Sequence, residues 1–196
     1  MTISLASGSP EVLRFTLNGL SIRSDRPYLA GRKQVITFNA DEIYEMAEQI
    51  ERNGAAFYRK AAENTDGPDL RKMLLELASM EDDHEKSFHD MRSELPVSQR
   101  TEEKFDPTGE GALYLHAMVQ GKIFDLHASP AGDLTGSEEA GDVLRAAIEM
   151  EKDSIVFYLT IKKMVPNEGG KDRIDDIIEQ EVGHVALLSS QLSAVK

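Results

Sequence analysis

The sequence contains no cysteine, and its basic residues are outnumbered by acidic ones. Without cysteine, these residues cannot form disulfides, zinc ribbons, iron–sulfur clusters or thiolate nucleophiles. The 35 Asp and Glu residues against 22 Lys and Arg give a formal net charge of −13, which repels nucleic-acid phosphates and anionic membranes. The composition therefore favours cations as charged partners, and any metal must be held by carboxylates and imidazoles.

Long hydrophobic runs are also missing. No stretch approaches the ~18 uninterrupted apolar residues that suggest a membrane span, and the first residues lack the basic region and apolar run of a signal peptide. We expect a cytoplasmic protein with neither a membrane nor a nucleic acid as partner. A chain of 196 residues can form one domain with a full core, with or without an appendage.

The first 36 residues differ from the rest of the chain. Within them, RFTLNGLSIR predicts a β-hairpin, because Asn18-Gly19 is a favoured two-residue turn between alternating runs. A lone hairpin is marginally stable in water, so we expect its apolar face to dock on the main body or on a second copy in a homodimer. A partly disordered tail is the alternative. We therefore divide the chain into an extension over residues 1–36 and a helical domain over residues 37–196.

Four long amphipathic segments follow the extension. Asn39, with Glu42 three residues later, has the capping-box pattern of a helix start. The second helix should end just before Pro96, and Pro166 should stop the third. The long connection after Pro96 has a short helical pattern over residues 112–126. Two helical hairpins joined by this crossover predict an all-α four-helix bundle.

A Glu-x-x-His motif occurs twice, from Glu81 to His84 and from Glu181 to His184, so the offset is 181 − 81 = 100 residues. The helix before each copy repeats at the same offset, since Ile50-Glu51-Arg52 with Phe57-Tyr58 corresponds to Met150-Glu151-Lys152 with Phe157-Tyr158. We infer that one helical hairpin has been duplicated, and that each copy offers a glutamate from its first helix and Glu-x-x-His from its second.

These motifs predict a dinuclear metal site. Residues three apart share one helix face, and both motifs fall on apolar stripes, one from Leu74 to Met91 and the other from Ile174 to Leu188. Around a pseudo-twofold axis six side chains would converge: Glu51, Glu81, His84, Glu151, Glu181 and His184. Four carboxylates and two imidazoles match the ligands that hold two iron or manganese ions in a four-helix bundle. The competing interpretation is chance recurrence in Glu-rich helices, and the matching repeat positions argue against it.

Tyr58 and Tyr158 each lie seven residues after a predicted ligand, on the same helix face. They are candidate catalytic residues if each hydroxyl donates a hydrogen bond to a ligand carboxylate. The alternative is core packing with a buried hydroxyl that needs a partner. The sequence favours neither.

Residues 38–195 resemble the ferritin-like superfamily, most closely the rubrerythrin-type di-iron domain, through IERNGAAFYRKAAE, MEDDH, AIEMEKDSIVFY and QEVGH. The resemblance implies a ferritin-like bundle and these ligands: Glu51 and His84 on one iron, Glu151 and His184 on the other, with Glu81 and Glu181 bridging. Manganese or zinc could occupy the same oxygen and nitrogen ligands.

The sequence departs from the rubrerythrin pattern in two respects. It lacks the cysteine-ligated rubredoxin module, so we expect an external electron donor or Fe(II). Rubrerythrins also carry a further glutamate one turn from Glu151, whereas Ile148 and Ser154 occupy the neighbouring positions here. The resulting ligand set is closer to that of bacterioferritin.

Three functions are compatible with these features. The leading prediction is a non-haem di-iron oxidoreductase that reduces peroxide or O₂. The second is an iron storage or delivery protein with a ferroxidase site. The third is a metal-free helical interaction module that has kept the ligands as core residues, which is disfavoured because unpaired buried carboxylates are costly.

Overall fold

The helical domain begins with a capped helix. The computed structural model describes residues 13–17, 20–24, 38–101, 110–119, 130–165 and 167–195. At the start of the first helix, the Asn39 side chain accepts a hydrogen bond from the Glu42 N–H at 2.9 Å, and the Glu42 carboxylate accepts one from the Asn39 N–H at 2.9 Å. The predicted capping box is confirmed, and it satisfies two backbone donors that a helix start leaves open.

The described residues contain four long helices and three short ones, in chain order α1 Ala40–Glu63, α2 Pro68–Ser93, α3 Val97–Thr101, α4 Glu110–Val119, α5 Pro130–Asp133, α6 Ala140–Lys162 and α7 Glu168–Ala194. The short helices lie in the predicted crossover. Helix α4 covers the first part of its helical pattern, and residues 120–129 lie outside the described part of the chain. None of the described helices is both long and apolar enough to cross a membrane.

Helix α6 ends before the proline that was expected to stop it. Its last residue is Lys162, after which the N–H groups of Met164 and Val165 both donate to the carbonyl of Ile161. The residue before a proline is disfavoured in the α conformation, so Pro166 affects the chain upstream of its own position. The expected stop is therefore displaced by a short turn.

The apolar stripes of the long helices form the core of the bundle. In α7 the buried positions are Gly170, Ile174, Ile177, Glu181, His184 and Leu188, which include the whole predicted stripe. In α2 the predicted stripe from Leu74 to Met91 is buried in the same way. Helix α1 contacts α2 and α6, and α7 contacts α6 and α2, so the four long helices form a closed ring. Glu81, His84, Glu181 and His184 therefore point into the bundle with the leucines and isoleucines.

The chain divides into two units, Met1–Ile36 and Thr37–Lys196. In the first unit, strands β1 Leu13–Leu17 and β2 Leu20–Ser24 pair antiparallel, with Phe15 opposite Ile22 and Leu17 opposite Leu20. Asn18-Gly19, the predicted turn, lies outside the described residues.

Candidate metal centre

Six acidic and imidazole side chains from the four long helices converge in the bundle interior. Two groups, each with ligand atoms within 4.8 Å of one another, share two members: Glu51, Glu81, His84 and Glu181 form one, and Glu81, Glu151, Glu181 and His184 form the other. All six residues are at most 4% exposed. The structure thus brings together all six side chains that the repeat predicted to converge. They form two overlapping groups of possible metal ligands rather than one.

Glu181 and Glu81 lie between the two histidines. One oxygen of Glu181 is 3.0 Å from His84 Nδ1, and the other is 2.9 Å from His184 Nδ1. Glu81 does the same at longer range, with Oε2 at 3.6 Å from His84 Nδ1 and Oε1 at 3.5 Å from His184 Nδ1. Each carboxylate therefore presents one oxygen to each position, as a bridging ligand would.

Glu51 and Glu151 each contact only one histidine. Glu51 Oε2 is 3.6 Å from His84 Nδ1, and Glu151 Oε1 is 3.5 Å from His184 Nδ1. The rings of His84 and His184 stack with centroids 5.7 Å apart. The arrangement has the pseudo-twofold symmetry that the 100-residue offset predicts.

Burial and mutual repulsion divide the protons of the cluster unequally. Burial raises the pKa of Glu51 well above its usual value, and a hydrogen bond with Glu81 raises it further. Burial likewise raises the pKa of Glu151. Burial opposes ionisation of Glu81 and Glu181 as well, but hydrogen bonds from the imidazoles and from the other carboxyls outweigh it and lower the pKa of both. In each half, therefore, the surroundings favour the protonated form of the outer glutamate, Glu51 or Glu151, and the ionised form of Glu81 or Glu181.

The same carboxylates keep both imidazoles charged. Burial disfavours the imidazolium form, yet hydrogen bonds from three glutamates raise the pKa of His84 far above its usual value and raise the pKa of His184 to about 11. Two imidazolium ions thus balance two carboxylates, while Glu51 and Glu151 stay neutral. This balance is electrically equivalent to four carboxylates and two divalent cations.

The donor atoms fit a pair of metal ions. Among the described residues, several buried atoms in the centre have no hydrogen-bond partner beyond their contacts with one another: Glu81 Oε1, both Glu181 oxygens, and Nδ1 of His84 and of His184. Buried polar atoms are normally hydrogen-bonded, so such a concentration calls for an explanation. Because all of these atoms face the space between the helices, divalent cations bound there would satisfy them together.

The two tyrosines hold the outer glutamates. Tyr58 donates a hydrogen bond to Glu151 Oε1, and Tyr158 donates one to Glu51 Oε1. Both hydroxyls are buried, and burial beside the carboxylates raises their pKa well above the usual value. They therefore remain protonated and act as donors that orient the carboxylates.

Gln180 was not singled out from the sequence, yet it contacts the centre. Its Oε1 lies 3.2 Å from His84 Nε2. It has no counterpart in the repeat, because the residue 100 positions earlier is Met80. A comparison of the two halves finds only the residues that both share, so it contains no signal for this contact. The exposed His89 lies away from the centre, near Glu48.

Comparison with known proteins agrees with this geometry. The rubrerythrin family model matches residues 42–192. A search of curated proteins gave no significant match. A crystal structure from Thermotoga maritima, described as a ferritin-like diiron-carboxylate protein, aligns with a TM-score of 0.58 and 27% identity, covering 80% of this chain and 96% of that one.

A second similar structure shares the fold at lower identity. The manganese catalase KatB from Anabaena aligns with a TM-score of 0.56 and 17% identity, covering 88% of this chain and 80% of that one. The family match spans most of the sequence and contains all six converging side chains. The chain therefore belongs to the rubrerythrin family, with a ferritin-like bundle and the buried Glu/His cluster of a dinuclear metal protein.

Proposed function

We propose that this protein is an oxidoreductase that reduces peroxide or O₂ at a carboxylate-bridged di-metal centre, with Fe(II) or another external donor supplying electrons. The single observation that carries the proposal is the placement of Glu81 and Glu181, each of which offers one oxygen to each of two adjacent histidine positions. Shared carboxylates place two metal ions close enough to act on one small molecule.

Glu51 and His84 would hold one ion, and Glu151 and His184 the other. Iron or manganese held there would supply two electrons, one per ion, enough to reduce peroxide to water or O₂ to peroxide, and the external donor would restore them. The carboxylates of Glu81 and Glu181 keep the two positions together, and their low pKa leaves them ionised for this role. Burial of all six ligands excludes bulk water from the centre.

Tyr58 and Tyr158 would act as positioning residues in this reaction. Their raised pKa makes them poor acids, so the protons consumed in forming water must reach the centre from another source. Tyr158 donates to Glu51 Oε1 and leaves Oε2 of that carboxylate facing His84. Tyr58 donates to Glu151 Oε1, the oxygen that also faces His184.

Peroxide is the favoured oxidant. The Anabaena neighbour is described as a manganese catalase, and the substrate of a catalase is peroxide. Manganese accepts the same ligands as iron, so both metals are candidates. The 196 residues contain no cysteine for a rubredoxin-type electron donor, so the reductant comes from outside this sequence.

A second candidate is ferrous iron oxidation for storage or delivery. Ser154 favours it, because this residue lies three positions after Glu151 and its hydroxyl donates to the Met150 carbonyl instead of adding a ligand. Within the described part of the chain, the centre then offers six ligand side chains. A metal-free helical module is the least supported function, since it leaves the buried donor atoms without partners.

The decisive test compares the two oxidants. Protein loaded anaerobically with Fe(II), and freed of excess iron, is mixed in a stopped-flow instrument with hydrogen peroxide or with O₂ while absorbance records iron oxidation. Faster oxidation by peroxide, with turnover when a reductant is added, supports peroxide reduction. Faster oxidation by O₂, with continued uptake of added Fe(II), supports the ferroxidase. His89→Ala is the matched control, because His89 is exposed and outside the centre.

A further inference from the structure

The two histidines of the centre differ in what their outer nitrogens contact. His84 Nε2 lies 3.2 Å from the side-chain oxygen of Gln180. The amide nitrogen of Gln180 donates to the Asp176 carbonyl at 3.2 Å, one turn back along α7. Because that second bond engages the amide nitrogen, it is the oxygen of Gln180 that faces His84.

This contact settles which nitrogen of His84 is free to bind metal. A side-chain amide oxygen can only accept, so the bond requires a proton on Nε2. A neutral imidazole with its proton on Nε2 has its lone pair on Nδ1. Nδ1 is the atom that faces Glu51, Glu81 and Glu181. Gln180 therefore holds His84 in the tautomer and orientation that a ligand needs.

His184 lacks the equivalent support. Its Nδ1 also faces the glutamates, but its Nε2 is buried without a hydrogen-bond partner in the part of the chain that the structure describes. The residue at the position equivalent to Gln180 is Met80, which packs against the hydrophobic core. A thioether is a weak acceptor and cannot replace an amide oxygen.

The other polar contacts to the ligands are balanced between the two halves. Glu51 accepts from Tyr158 just as Glu151 accepts from Tyr58. Glu81 and Glu181 each contact both histidines. The outer glutamates differ only in which oxygen is used: Glu51 presents Oε2 to its histidine and Oε1 to its tyrosine, whereas Glu151 presents Oε1 to both. Among the described residues, the contact of Gln180 with His84 is a polar contact to a ligand side chain that has no counterpart in the other half.

We propose that Gln180 is a positioning residue that makes the two metal positions unequal, so that the position containing His84 and Glu51 binds its ion first and more tightly. The position containing His184 and Glu151 is filled second. This inference rests on the proposed di-metal centre and adds an order of loading to it. Loss of a comparable outer contact to a ligating histidine typically weakens metal binding by ~10–100-fold, which sets the expected gap.

Titration calorimetry with Mn²⁺ alone tests this proposal. We expect the full-length apo protein to bind two ions in separate steps whose affinities differ by ~10-fold or more. Gln180→Met gives His84 the same neighbour that Met80 provides at the equivalent position in the other half. It should weaken the tighter binding step until the two steps have the same affinity. Gln180→Glu keeps an acceptor over His84 and should restore two steps. Met80→Gln should instead tighten the weaker step.

The apo forms of these variants separate positioning from folding. Gln180 is exposed, so Gln180→Met should leave the metal-free protein folded and lower its urea midpoint by no more than the loss of one hydrogen bond to His84 explains, while it alters the calorimetric steps. Two equal steps in the unaltered protein, or an unchanged titration in Gln180→Met, would overturn the inference and leave the di-metal centre intact. No bound Mn²⁺ in the unaltered protein would overturn both.

Discussion

The hydroxyl of Tyr58, on α1, donates its hydrogen bond to Glu151, on α6, and not to a glutamate of its own helix. The reciprocal bond runs from Tyr158 on α6 to Glu51 on α1. Each half of the repeat thus supplies the tyrosine that positions the outer glutamate of the other half. Neither half can complete its metal position alone, and this favours retention of both halves in one bundle.

This crossed arrangement predicts which ion each tyrosine affects. Tyr58→Phe should weaken the binding of the ion beside Glu151 and His184 by ~10-fold or more. Tyr158→Phe should weaken the binding of the ion beside Glu51 and His84 by the same factor. Stepwise Mn²⁺ titration of the two variants measures this. Tyr44→Phe, which alters a buried tyrosine whose ring lies against Phe88, is the control and should leave both steps unchanged. An equal effect of both tyrosine variants on both steps would contradict the crossed assignment.

The same variants should also lose stability without metal. Removing the Tyr58 hydroxyl leaves a buried oxygen of Glu151 without its donor, and such a loss costs about 1–3 kcal/mol. Urea unfolding of metal-free Tyr58→Phe should show this decrease. An unchanged midpoint would mean that the hydrogen bond contributes nothing measurable to the apo fold.

The stability of the apo protein should fall as pH rises. Glu51, Glu151, His84 and His184 all have raised pKa values in the fold. The folded state therefore holds more protons than the unfolded state once pH exceeds the ordinary glutamate and histidine values of 4.5 and 6.5. Their contribution is present at lower pH and is lost as pH rises toward the folded values. The decrease is about 1.4 kcal/mol per pH unit for each extra proton.

At acidic pH, Glu81 and Glu181 act in the opposite direction. Their lowered pKa contributes stability to the fold that is lost as pH falls below 4.5.

Urea unfolding in the presence of a chelator, compared at about pH 6 and about pH 8.5, measures the loss of apo stability at alkaline pH. Greater apo stability at the higher pH would contradict the proton distribution described above.

Metal loading should reverse the fall in stability with rising pH, because divalent cations replace the protons of the centre. Four groups hold protons in the apo centre, Glu51, Glu151, His84 and His184, so filling both positions should release about four protons. A pH-indicator dye in weak buffer counts them during Mn²⁺ addition. Affinity should increase with pH, and each filled position should add about 2.7 kcal/mol to the stability of the loaded protein at 100 times its dissociation constant. Release of no protons would contradict the exchange.

Two glycines of α7 should respond oppositely to alanine. A Cβ on Gly183 meets nothing within 4 Å, so Gly183→Ala should stabilise the fold by up to about 1 kcal/mol through helix propensity alone. A Cβ on Gly170 would lie 2.8 Å from Val165 Cγ1 and 3.0 Å from the capping oxygen of Asn167, so Gly170→Ala should cost about 1–3 kcal/mol.

Thermal unfolding of the metal-free variants checks both signs. Metal affinity should be unchanged in each, although Gly183 is the residue before His184. Destabilisation of both variants would show that the region around Gly183 is more crowded than the structure indicates.

Much of this structure follows from sequence patterns. Helix periodicity is a local property of the chain, and a repeat is detected by comparing the sequence with itself. The stripe from Ile174 to Leu188 predicted which face of α7 is buried, and the 100-residue offset predicted that six ligands meet. The end of α6 was misplaced because turn geometry upstream of Pro166 depends on backbone bonds to Ile161. The partners of Tyr58 and Tyr158 depend on how α1 packs beside α6, which helix periodicity does not encode.

Gln180 shows a second limit of such patterns. Its importance comes from a difference between the halves, whereas the repeat was detected through their likeness. Contacts that distinguish Gln180 from Met80 appear only once His84 and α7 are placed in three dimensions.

The central claim is that the six converging side chains hold two metal ions. Its most direct test is elemental analysis of protein loaded anaerobically with Fe(II) and desalted, with His84→Ala and His184→Ala prepared in parallel. We expect two ions per chain in the unaltered protein and the loss of at least one ion in each variant. An unaltered protein that retains no stoichiometric metal, or variants that bind as much as it does, would contradict the di-metal centre.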